Sequence, residues 1–173
     1  MPANLSPRTN LLLTGASGVG KSTLLKSAGQ RLKGQRLKGF FSEVIGEDDK
    51  RKGWRLDTFE GDGGVLIHLD MPSEHRMGRY GADMALFNRL VAAQLTLSDD
   101  VDLYLVDETG IVAGWSPGFQ VVMTRLLDSS KKVIAIVRQR GDGPMKEAKA
   151  RPDAELWEAT LQNCAALLEQ TLA

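Results

Sequence analysis

Apolar residues in this chain follow two rhythms that alternate along it. Runs that stay apolar for four or five residues, at 10–14, 103–106 and 133–137, predict strands buried on both faces. Between and after them, apolar residues recur at helical spacing. Leu24, Leu25, Ala28 and Leu32 form one stripe, and Phe87, Leu90 and Val91 a second. Phe119, Val122, Met123, Leu126 and Leu127 form a third, and Leu161, Cys164, Ala165, Leu168 and Leu172 a fourth. Helix punctuation agrees with the stripes. Asp83 suits an N-cap, Ser116-Pro117 supplies a cap and a first-turn proline, and Arg31, Lys33 and Gly34 suit a helix end. Strands alternating with helices over short loops predict an α/β architecture with a largely parallel sheet covered on both faces.

The middle of the chain has a different rhythm. Residues 39–44 read as a strand, 47–53 as a charged turn, and 54–59 alternate with period two. Gly61-Asp62-Gly63-Gly64 is a strong turn signal before another strand-like run at 65–69. This predicts an antiparallel β patch attached to the larger sheet. A polar loop at 71–76 leads on to Gly78-Arg79-Tyr80-Gly81. The segment 138–152 is polar, Gly-rich and basic, too irregular for core. The unit Gly-Gln-Arg-Leu-Lys occurs twice in 29–38, and reads as a helix end and a solvated basic loop.

The chemistry begins where the first strand meets the first helix. Gly15, Gly20, Lys21 and Ser22 satisfy G-x-x-x-x-G-K-[ST], the Walker A pattern, and the strand before and helix after supply its required context. The loop of Gly15, Ala16, Ser17, Gly18, Val19 and Gly20 brings backbone N–H groups up to a polyphosphate, because its glycines carry no Cβ. The helix opening at Lys21, Ser22 and Thr23 adds the partial positive charge of its N-terminus. Lys21 is placed to reach the β/γ oxygens, and Ser22 to ligate Mg²⁺. The expected fold is therefore a three-layer P-loop NTPase fold.

A second stretch completes the pattern. The run at 103–106 ends in Asp107-Glu108, as a buried strand delivering carboxylates to a crevice should. Asp107 is the expected Walker B metal acid, and Glu108 the group that activates water. Both reach the crevice only if the strand ends near Asp107, since successive strand residues face opposite ways. Further positive charge on the moving phosphoryl is expected from an arginine: Arg140 first, with Arg138 and Arg151 as alternatives. His68 and His75 have no companions at metal-ligand spacing.

Composition narrows the setting. With 173 residues, 42% hydrophobic and 25% charged, the chain reads as a single soluble domain over 1–173. Lys plus Arg (22) balances Asp plus Glu (22), so no overall field points to nucleic acid or an anionic membrane. One cysteine, Cys164, excludes an intrachain disulfide; it reads as a small buried hydrophobe. No signal-peptide core and no apolar run of roughly 18 residues is present, so the expected location is cytoplasmic. The pattern names no protein partner.

Taken together, these stretches resemble the small nucleoside-triphosphatase family known from thermophiles and, in animals, as the cancer-related nucleoside-triphosphatase. The resemblance rests on 14–23, Gly-Phe-Phe-Ser-Glu-Val from Gly39, Arg51-Lys-Gly-Trp54 and Gly78-Arg-Tyr80. It continues with Asp107-Glu-Thr-Gly110, Ser116-Pro-Gly-Phe119 and the run 151–160. It implies Mg²⁺-dependent hydrolysis of ATP, GTP and other nucleoside triphosphates with little base preference. The two nucleotide-binding stretches it implies map onto 15–22 and 103–110, Gly110 included. Two positions depart from the family: Val112-Ala113 stand where it has Met-Glu, and Asn163-Cys164-Ala165 where it has Asn-Arg-Asp. A small nucleoside or nucleotide kinase, or a nucleotide-binding module with little turnover, are the competing readings.

Overall fold

Leu12 and Leu13 show how the chain is layered. They are neighbours on β1 (Asn10–Thr14), so their side chains leave opposite faces of the sheet. Leu12 packs with Phe87, Phe119 and Met123 in one apolar cluster, and Leu13 with Leu24, Leu25 and Leu167 in another. The first cluster lies under α2 (Met84–Leu95) and α4 (Pro117–Asp128), the second under α1 (Lys21–Arg31) and α5 (Cys164–Leu172). This is the expected three-layer α/β arrangement. The computed structural model describes residues 10–32, 34–107, 110–139 and 145–172.

The remaining strands are β2 (Leu37–Glu47), β3 (Lys50–Thr58), β4 (Gly63–His68), β5 (Arg76–Met77), β6 (Tyr80–Ala82), β7 (Leu103–Asp107), β8 (Lys132–Ile136) and β9 (Ala154–Glu158). They form one sheet in the order β5-β6-β4-β3-β2-β7-β8-β1-β9. From β2 to β9 all pairings are parallel; from β2 outward to β5 all are antiparallel. The antiparallel patch is thus a wing continuous with the main sheet, and β2 is the hinge strand shared by both. Asp48 and Asp49 turn the β2–β3 hairpin with positive φ of 49° and 62°, so the charged turn expected at 47–53 shrinks to two residues.

Where β2 joins β7, side chains cannot intrude. Gly39 has φ +126°, and a Cβ there would overlap the Leu105 carbonyl oxygen. Its N–H donates to Oε1 of the buried Gln94 at 3.1 Å. At the other end of the same join, Arg36 grips Asp102 through its backbone N–H, Nε and Nη2 at 3.0, 3.2 and 2.7 Å. The helix starts are as expected. Asp83 accepts from the Leu86 N–H and Ser116 from the Phe119 N–H, contacts worth about 1 kcal/mol each.

Four differences from the sequence pattern stand out. Ala154–Glu158 is a strand where the pattern marks none; as an edge strand it is exposed on one side and lacks the continuous apolar signature. The last helix begins only at Cys164, because Thr160 and Asn163 close a turn first, leaving Leu161 74% exposed. Met145 and Ala148, inside the stretch read as too irregular for core, are buried. α1 stops at Arg31, with the Leu32 N–H donating to the Ala28 carbonyl. Lys33 lies outside the described residues. No helix among the described residues is long and apolar enough to cross a membrane.

The Arg36 grip holds the Asp102 carboxyl below the usual range, at about 2. A depressed carboxylate contributes stability that is present above its unfolded pKa and lost as pH falls through its folded pKa. Asp102→Asn is expected to lower the urea midpoint at pH 7, with the gap to wild type closing between about pH 4 and pH 2. A gap unchanged down to pH 2 would contradict this role.

Candidate nucleotide site

The loop at 15–20 connects the end of β1 to the start of α1, at the carboxyl edge of the parallel strands. Gly15 has φ +143°, and a Cβ there would overlap the Ala159 carbonyl oxygen, so only glycine lets the loop pass under the chain leaving β9. Gly18 and Gly20 also take positive φ, 81° and 101°. Gly20 occupies the N-cap position of α1 and offers no side-chain acceptor. α2 and α4 both cap their first turn with a side chain, whereas the opening N–H groups of α1 are left for an external anion. Ala16, Ser17, Gly18 and Thr23 are exposed, and Val19 is half-buried.

Lys21 folds back over this loop, its Nζ donating to the Gly15 and Ala16 carbonyls at 2.7 Å each. Burial lowers its pKa, while the neighbouring Asp107 and Cys164 oppose the shift. One residue on, Ser22 Oγ donates to Asp107 Oδ2 at 2.6 Å. The same oxygen accepts from the Ser42 hydroxyl at 2.7 Å and the Ser42 N–H at 3.0 Å. Asp107 is the last residue of β7 and is 3% exposed. Burial raises its pKa; the Ser22 and Ser42 hydroxyls and the Ser42 N–H act against this, as does Lys21. A carboxylate and two hydroxyls within hydrogen-bond reach form a hard-oxygen donor set of the kind Mg²⁺ takes, with the rest of its shell left to phosphate and water. The donors present therefore fit that ion.

The structure thus brings Gly15, Ala16, Ser17, Gly18, Val19, Gly20, Lys21, Ser22 and Thr23 to one edge with Asp107. Gly110 lines the same cavity, at the N-terminus of the short α3 (Ile111–Gly114). β7 runs to Asp107, which it places at the crevice. Glu108 and Arg140 lie outside the described residues. Arg138 follows β8 and is exposed. Arg151 sits at the opposite edge: it precedes β9, whose Ala154 pairs with Asn10 at the start of β1, and it is bound to Asp128 and Asp153. His75 packs against Trp115 with the rings tilted and their centroids 5.3 Å apart, and His68 Nδ1 accepts from the Asp70 N–H.

Three features escaped sequence reasoning. Ser42, expected only as part of a strand, donates two hydrogen bonds to Asp107. Cys164, expected to be a buried hydrophobe, is half-buried and rests on the phosphate loop, its Sγ 3.0 Å from the Val19 carbonyl. A cavity of about 700 Å³ opens from the loop toward the β2–β3 hairpin, with Val44, Arg51, Trp54, Met77 and Ile111 on its walls. At the departure from the family pattern, Val112 and Ala113 are fully buried in core.

Comparison with known proteins agrees with this geometry. The NTPase family model matches residues 10–172. The nucleoside-triphosphatase THEP1 of Thermotoga maritima is 33% identical over 164 residues, covering 94% of this chain and 93% of the relative. The crystal structure of THEP1 from Aquifex aeolicus superposes with a TM-score of 0.82 at 30% identity, covering 93% and 95% of the two chains. The solution structure of a human cancer-related nucleoside triphosphatase gives 0.77 at 25% identity, covering 93% and 94%. With the loop at 15–22 and Asp107 brought to one sheet edge and the match extending over nearly all its length, the chain belongs to the nucleoside-triphosphatase family.

Proposed function

We propose that this protein hydrolyses nucleoside triphosphates to the diphosphate and phosphate, with Mg²⁺ and with little selectivity for the base. The observation that carries the reading is the 2.6 Å hydrogen bond from Ser22 to Asp107, which joins the two halves of a metal–triphosphate site across the sheet. Weak base selectivity accords with the relatives, whose names specify nucleoside triphosphates as a class. The chain acts as one nucleotide-binding unit.

The residues divide the task as follows. The loop N–H groups and the start of α1 receive the phosphates, and Lys21 leaves the Gly15 and Ala16 carbonyls for the β/γ oxygens. Ser22 and Asp107 hold Mg²⁺, and Ser42 fixes the orientation of the Asp107 carboxylate. The ion, when bound, neutralises charge on the β- and γ-phosphate oxygens. Glu108 takes a proton from water as the water oxygen bonds to the γ-phosphorus and the bond to the bridging oxygen breaks. Arg140 places positive charge near the moving phosphoryl. The apolar cavity wall of Val44, Trp54, Met77 and Ile111 favours one other reading, transfer to an organic hydroxyl, as in a small kinase. Chromatography of the products separates the two: free phosphate supports hydrolysis, a phosphorylated acceptor the kinase.

Phosphate release from ATP, GTP, CTP and UTP is expected with Mg²⁺ and abolished by EDTA. Lys21→Ala is expected to abolish binding or turnover. Glu108→Gln is expected to retain binding and lose turnover by about 100-fold or more. Unchanged release in Glu108→Gln would remove Glu108 from the reaction, and unchanged release in Lys21→Ala would remove the site. Ser42→Ala is expected to raise the Mg²⁺ concentration for half-maximal activity by about tenfold; no change would mean that Ser42 does not position Asp107.

A further inference from the structure

The strand order fixes which way a triphosphate lies. β7 and β2 stand on one side of β1, with β8 between, and β9 stands on the other. The oxygen donors Ser22, Asp107 and Ser42 converge toward β2. Those oxygens would hold a divalent ion, which would neutralise charge at the β/γ end of the polyphosphate. The terminal phosphate therefore points toward the β2–β3 hairpin, into the cavity that the hairpin roofs.

Among the described residues, that cavity holds little unpaired positive charge apart from Lys21. Lys26 is on its wall but paired with Glu43, also on the wall. Arg51 is the only arginine among the described residues that lines it. No described carboxylate pairs with its guanidinium, which lies over the Trp54 ring, 4.9 Å from the centroid. Arg55, Arg89 and Arg151, by contrast, are each bound to aspartate.

Arg51 is also held in place. The Tyr80 hydroxyl donates to the Arg51 carbonyl at 3.2 Å, and the Tyr80 ring meets Trp54 edge-on at 5.4 Å. Backbone, phenol, indole and guanidinium thus close a small loop, restricting an arm that otherwise carries about 2 kcal/mol of rotamer entropy. Arg51 pairs with Gly46, four residues along β2 from Ser42, roughly 13 Å of strand at about 3.3 Å per residue. An extended arginine side chain and a terminal phosphate at the Ser22–Asp107–Ser42 cluster would together span that distance.

We propose that Arg51, delivered by the antiparallel wing and positioned by Trp54 and Tyr80, contacts the terminal phosphate and makes the site favour triphosphate over diphosphate. This rests on the nucleotide-hydrolase reading of the site. It adds a charge that acts on the γ-phosphoryl alone, so ADP binding does not depend on it.

The test is equilibrium binding, with Mg²⁺, of fluorescent ADP and a fluorescent non-hydrolysable ATP analogue, together with turnover of ATP. Arg51→Ala is expected to keep ADP affinity within about twofold and to lose about tenfold or more of the triphosphate preference. Its kcat is expected to fall about 100-fold or more, with the thermal midpoint unchanged. Arg51→Lys is expected to recover part of the binding preference and little of the rate, since an ammonium lacks the planar fork. Wild-type discrimination and kcat in Arg51→Ala would overturn the proposal, as would equal weakening of both nucleotides. Lys21→Ala, measured alongside, separates the failures. If it binds both nucleotides normally, the site reading is wrong; if it weakens both while Arg51→Ala changes nothing, only Arg51 is misassigned.

Discussion

One hydrogen bond, from the Ser22 hydroxyl to the Asp107 carboxylate, depends on most of what the chain does elsewhere. Asp107 is almost completely buried, and a buried carboxylate is costly unless donors surround it. Here the donors come from two separate elements, Ser22 from α1 and both groups of Ser42 from β2, with the charge of Lys21, also on α1, nearby. None of these can move far without stranding the carboxylate. The same atoms are hard oxygen donors of the kind a divalent ion takes, so the groups that compensate the buried carboxylate also suit an ion.

β2 is the strand that makes this arrangement possible. Its first half is parallel to β7 and sets Ser42 beside Asp107, with Gly39 packed under the Leu105 carbonyl and Arg36 gripping Asp102. Its second half leaves β7 behind, pairs with β3 and extends over the cavity. One strand therefore links the Asp107 cluster to the antiparallel wing. The wing is not an appendage: Arg51, Trp54 and Met77 line the far side of the cavity that also holds the phosphate loop, and Tyr80 packs behind Trp54.

Sequence alone made the phosphate loop and Asp107 legible because their chemistry is local. A glycine-rich turn between a strand and a helix, or an acid closing an apolar run, is written in consecutive residues. The central strands and the capped helices were readable for the same reason: burial on both faces, or a side chain at Asp83 or Ser116 closing a turn, leaves a pattern within a few positions. Ser42 and Arg51 carry no such mark. They reach the site only through the order β3-β2-β7-β8-β1, and strand order is a tertiary property. β9 was missed because an edge strand is half solvated, and β5 and β6 because two or three residues are too few for a period. Arg151 looked available in the sequence; its register beside the start of β1 puts it at the wrong edge of the sheet.

The most direct measurement is a crystal structure with Mg²⁺ and a non-hydrolysable nucleoside triphosphate. The account predicts phosphates in the loop at 15–20, Lys21 released from the Gly15 and Ala16 carbonyls, and the ion between Ser22 and Asp107. It also predicts the terminal phosphate facing the β2–β3 hairpin. A triphosphate bound away from that loop, or with its terminal phosphate turned toward β9, would contradict it.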